Sequence, residues 1–147
     1  MSLSEKLLTK RVRPALTADL VTVVQQEVGE KKGFSGTAVK TGYKAVTKVM
    51  PNLAERAVTR MLPDAVVALD PFWSDFQAAG GGDFGQYLAG RGSEASEALL
   101  RVSDDKVQGT SREAIKRAYK PLRGKASDHV AAALPRVGAV LQQHAEA

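Results

Sequence analysis

At 147 residues and 44% hydrophobic content, the chain has the size of one ordinary domain and enough apolar material to bury a core, which argues against disorder over most of its length. It contains no cysteine, so a disulfide framework, a thiolate metal site and nucleophilic cysteine chemistry are all excluded. The 21 Lys and Arg against 16 Asp and Glu leave a formal charge of +5 and a pI near 9.6, a mild lean toward anionic partners that also serves plain solubility.

Taken in chain order, almost every periodic segment has the 3.6-residue helical period, and no run alternates like a half-buried strand. Residues 1–12 lack the apolar stretch and small-residue cleavage point of a signal peptide, and Leu3, Leu7 and Leu8 predict a short first helix. Leu16, Leu20, Val23, Val24 and Val28 line one side of a helix expected from near Pro14 to near Gly29. Ser35 is the expected N-cap of a helix running to Met50, where Pro51 stops it. Leu53, Ala57, Met61 and Leu62 predict the next helix, and Pro63 starts a short one through Val66, Val67 and Leu69. Asp70-Pro71 reads as an N-cap and first turn leading into Phe72, Trp73 and Phe76, and Gly80-Gly81-Gly82 is the clearest linker. Asp83 and Ser93 are expected caps, and Thr110 with Glu113 has capping-box spacing. Pro121 is expected to break the helix that follows, and Pro135 to kink or break the last one. That interruption also leaves the most apolar stretch, residues 130–141, too short to span a membrane. About eight to ten short helices are expected, held largely by tertiary packing.

The segment from Gly33 to Val46 returns 76 positions later, with Gly33, Ser35, Ala38, Lys40, Tyr43 and Lys44 recurring as Gly109, Ser111, Ala114, Lys116, Tyr119 and Lys120. Leu8, Arg11, Ala15, Ala18 and Leu20 are matched by Leu88, Arg91, Ala95, Ala98 and Leu100, and the block at Leu62-Pro63 by the one at Leu134-Pro135. Three collinear blocks argue for an internal duplication. The expected fold is all-α: two similar four-helix-like units, residues 1–70 and 88–147, joined through residues 71–87 and packed as one pseudo-symmetric domain. A closed bundle and a short HEAT-like stack both fit the pattern.

On helical wheels Tyr43 and Tyr119 take the same angle near the core, while Lys40, Lys44 and Lys48 form a stripe on the other side whose phase Lys116 and Lys120 share. Extended by Arg123 and Lys125, that stripe describes a duplicated surface for a polyanion such as nucleic acid. The plainer account is a solvated helix face. Phe72, Trp73, Phe76, Phe84 and Tyr87 crowd around the glycine linker and are expected to join the two halves as core; the alternative is a protein-interaction or small-molecule site around Trp73. His129 beside Asp128 points away from it on a helix, His144 sits near an end expected to fray, and two histidines 15 positions apart make no metal site. Lys40-Thr41 resembles the end of a P-loop, but Val39 stands where its second glycine is needed, so no nucleotide cofactor is called for. A binding or interaction protein is therefore favoured over an enzyme.

The blocks Ala38-Val39-Lys40-Thr41-Gly42-Tyr43-Lys44-Ala45-Val46, Leu69-Asp70-Pro71-Phe72-Trp73, Phe84-Gly85-Gln86-Tyr87-Leu88-Ala89-Gly90 and Ala133-Leu134-Pro135-Arg136-Val137-Gly138-Ala139-Val140 together resemble an uncharacterised family of short, all-helical bacterial proteins. The resemblance implies a bacterial, cytoplasmic protein and carries no functional residue with it.

Overall fold

The hydroxyl of Ser2 accepts the Glu5 amide while the Glu5 carboxylate accepts the Ser2 amide, a reciprocal capping box that starts α1 (Leu3–Leu7). The computed structural model describes residues 2–30, 40, 41, 44, 48 and 52–147. After α1 come α2 (Arg13–Glu30), α3 (Leu53–Ala78), α4 (Phe84–Gly90), α5 (Gly92–Gln108) and α6 (Glu113–Ala145), with helix and no strand among the described residues. Most of the helix expected at residues 35–50, including the Ser35 cap and Tyr43, lies outside them, although Lys40, Thr41, Lys44 and Lys48 are helical.

The prolines depart from expectation. Pro63 and Pro71 lie inside α3, and Pro121 and Pro135 inside α6, so that several expected short helices are two long ones of 26 and 33 residues. A proline removes the hydrogen bond to the carbonyl four residues earlier. For Pro63, Pro71 and Pro121 that carbonyl belongs to Thr59, Val67 and Arg117, all exposed, where solvent can serve it. Leu62, Val66, Leu69, Phe72, Trp73 and Phe76 meanwhile hold one buried stripe across both α3 prolines, so packing keeps the helix continuous.

Asp70 is consequently not a cap of its own helix. From within α3 its carboxylate accepts the Ser4 amide at 2.9 Å and the Ser4 hydroxyl at 2.6 Å, satisfying the N-terminus of α1 from 66 residues away. The expected Ser93 cap is also displaced, because α5 begins at Gly92 with Arg91 in the cap position. Arg112 holds that position for α6, and the Thr110 hydroxyl accepts the Arg112 amide instead of closing a capping box. Asp83 does cap α4, accepting the Gln86 amide.

Each of the six helices given above feeds one buried cluster among the described residues, from Leu3 and Leu7 of α1 and Leu16 of α2 through Ala95 of α5 to Leu134 and Leu141 of α6. Helix α4 packs chiefly on α6, α5 on α6 and α3, and α2 on α3 and α6. Gly80, Gly81 and Gly82 all take positive φ, at 104°, 79° and 111°, which lets the chain reverse from α3 into α4. Gln142 of α6 then clamps the start of α4 by accepting the Phe84 amide and donating to the Gly82 carbonyl. Near the other end of α4, Arg91 stacks 4.5 Å from the centre of the Phe72 ring and pairs with Asp75 and Glu94.

Candidate functional site

Residues 109–112 form a short link that turns α6 back along α5, so side chains at similar distances from the link face each other. Between the two helices lies an open cleft of about 510 Å³, walled by Asp104, Val107 and Gln108 from α5 and by Lys116, Tyr119, Lys120 and Arg123 from α6. Three cations thus face one carboxylate. The spacing of Lys116, Lys120 and Arg123 along α6 places them on neighbouring turns of the same flank.

The carboxylate is already committed. Arg123 donates to Asp104 through Nε at 2.9 Å and Nη2 at 3.2 Å, and the Tyr119 hydroxyl donates to Asp104 Oδ1 at 2.5 Å. Ser103 lies 2.6 Å from the same hydroxyl and extends this chain of polar contacts beyond the cleft lining. The Arg123 guanidinium, and after it the Tyr119 hydroxyl, hold the Asp104 carboxyl below its ordinary range. Burial, followed by the bond to Asp104, pushes the Tyr119 phenol up. The bond to Asp104 likewise raises Arg123, which stays charged throughout.

Among the described residues, Lys120 has no ion pair, and Lys116 lies 3.9 Å from Glu113. The wheel set the lysines apart from Tyr119, whereas the fold brings Lys116, Tyr119 and Lys120 into one cleft, because long side chains on a flank reach round the helix surface. Lys40 is half-buried, and Lys44 and Lys48 are exposed. Lys125 also falls on α6, its side chain lying outside the described residues. Ser103 and Asp104 were missed by sequence reasoning. The short link that forces α5 and α6 into a hairpin was the signal that could have found them.

The aromatic residues occupy a different region. Phe72, Trp73, Phe76 and Phe84 are each no more than 7% exposed, and Tyr87 is half-buried. Trp73 meets Phe84 edge-on at 4.9 Å between ring centres, with Phe76 against both, so the rings form core between α3 and α4. His144 is not on a frayed end: α6 persists to Ala145, and the imidazole Nε2 lies 2.7 Å from Asp19 Oδ2 of α2. Arg136 and Glu27 form a second polar bridge between those helices. No group of three or more potential metal ligands occurs among the described residues, and no described helix is long and apolar enough to cross a membrane.

Fold and cleft together define an all-helical protein with a cation-rich groove on one helical hairpin. Residues 3–145 match a family of unknown function, DUF6918, and the chain belongs to that family. No curated protein and no solved structure matches the chain.

Proposed function

We propose that this protein is a non-enzymatic binding module for a polyanion such as nucleic acid. Lys116, Lys120 and Arg123 form the anchor on one half of the chain, Lys40, Lys44 and Lys48 contribute from the other, and Lys125 extends the surface. The observation that carries this reading is the convergence of three cations on a cleft whose single carboxylate is already engaged by Arg123 and Tyr119. An anion entering there meets Lys120 without an internal competitor and Lys116 with a distant one.

Two-sided binding follows from the duplication, which the element order supports: a five-residue helix precedes a long one at α1–α2, and a seven-residue helix precedes a long one at α4–α5. Ser2 caps α1 as Asp83 caps α4, and each short helix buries two apolar residues four apart, Leu3 and Leu7 in one and Phe84 and Leu88 in the other, a pairing one position out of register with the sequence match of Leu8 to Leu88. A bacterial cytoplasmic setting, implied by the sequence resemblance, suits a chain without cysteine.

Phosphate contacts release counterions, so affinity for mixed-sequence nucleic acid should fall steeply with salt and show little sequence preference. Replacing Lys40, Lys44, Lys116 and Lys120 together by Ala should flatten the log–log salt dependence, by roughly one unit per lost contact. Absence of binding at low salt, or an unchanged slope in the quadruple variant, would rule the proposal out.

A further inference from the structure

Resting on the polyanion reading and narrowing it, we infer that the α5–α6 cleft seats one nucleotide of a single-stranded nucleic acid, with Asp104 as the positioning residue. The cleft is open to solvent, and at about 510 Å³ it falls within the usual range of small-ligand sites, roughly 300–1,000 Å³. A duplex keeps its bases stacked inside and offers phosphates on a rod, which has no group to put into such a recess. A single strand can splay a base out and place it against an aromatic side chain.

The walls carry what each part of a nucleotide requires. Lys116, Lys120 and Arg123 supply charge for the phosphate, and Val107 and Tyr119 supply an apolar and aromatic wall for the base. The Gln108 amide offers one donor and one acceptor function for a base edge. Asp104 organises this set without needing to touch the ligand. It takes the Arg123 Nε proton and one Nη2 proton, Nη2 also reaches Glu97 at 3.5 Å, and both Nη1 protons of that guanidinium remain without a protein acceptor among the described residues. It also takes the Tyr119 hydroxyl proton, which fixes the ring at the cleft wall. Because the wall is an aromatic face and an amide, base identity should matter little and strandedness a great deal.

The test is fluorescence anisotropy with a labelled mixed-sequence single strand and with the duplex made from it, each titrated at several salt concentrations. The wild type should prefer the single strand by about tenfold or more. Tyr119→Ala should weaken strand binding roughly 5- to 150-fold while leaving the salt slope unchanged, and Tyr119→Phe, which keeps the ring, should retain most of the affinity. Asp104→Asn should weaken strand binding at an unchanged slope, since it loosens Arg123 without removing a charge that contacts phosphate. Equal affinity for strand and duplex, with Tyr119→Ala silent, overturns the nucleotide site and leaves the polyanion reading standing. No binding of either probe overturns both. Should Tyr119→Ala fail to fold, amide shift mapping of the wild type with thymidine monophosphate decides: perturbations centred on Val107, Gln108 and Tyr119 support the site, and perturbations elsewhere or none overturn it.

Discussion

Gly85 of α4 and Gly138 of α6 cross backbone against backbone. A Cβ built on Gly138 would lie 2.6 Å from the Gly85 nitrogen and 3.0 Å from the Phe84 carbonyl carbon, and one built on Gly85 would lie 3.1 Å from the Pro135 carbonyl carbon. Neither obstacle is a side chain that can swing away. The missing side chains therefore set how closely the short α4 sits on the longest helix, and with it the seat of Phe84 in the core.

Gly85→Ala and Gly138→Ala should each destabilise the fold by about 1–3 kcal/mol, as overpacking against a rigid neighbour does. Gly124→Ala, also in α6 but with nothing within 4 Å of its Cβ, should instead stabilise by roughly 0.5–1 kcal/mol, because alanine is the better helix former. Urea denaturation of the three variants reads the signs directly. A shared sign across all three would refute the close-crossing account.

Asp70→Ala should cost about 1–2 kcal/mol, since it strips the N-terminus of α1 of an acceptor for both the Ser4 amide and hydroxyl. The loss should appear first as faster hydrogen exchange at the Ser4 amide. A double-mutant cycle with Ser4→Ala should return a coupling energy, whereas simple additivity would mean that the two side chains act separately.

The polar chain under the cleft gives a pH signature. Asp104 is held below its ordinary value of 3.8, so its contribution to stability is present above that value and is lost as pH falls through the lowered pKa of the folded state. Tyr119 is raised above its ordinary 10.0, so its contribution is present below pH 10 and is lost as pH rises through the raised folded pKa. The stability difference between wild type and Asp104→Asn should accordingly be level from about pH 5 to 9 and shrink below about pH 4. A difference that persists undiminished at about pH 2 would show that the carboxylate acts through packing and not through its charge.

Phe84→Ala should remove about 3–5 kcal/mol, because it takes away the ring that meets Trp73, Phe76 and Tyr87 and leaves a cavity at a fully buried position. Near-UV circular dichroism of the lone Trp should lose intensity in the folded variant. If stability and the aromatic signal both stay as in the wild type, the ring cluster is not the junction between α3 and α4.

Periodicity alone determined that this chain is helical, and local chemistry placed several boundaries correctly. The Asp83 cap, the glycine reversal at residues 80–82 and the short first helix around Leu3 and Leu7 each depend on side chains within a few residues of the backbone they serve. The prolines were different. Whether Pro63 and Pro71 end a helix depends on what is packed against its far side, and no local rule contains the stripe from Leu62 to Phe76 that holds α3 together. Asp70 looked like a cap and is one, but for a helix 66 residues away. The same limit applies to the cleft: the lysines on α6 were legible as a repeated stripe, whereas Ser103 and Asp104 gained their meaning only when the hairpin set them against Tyr119 and Arg123. Charge and helical phase are written one residue at a time, but an acceptor becomes a partner only through distances that tertiary packing decides.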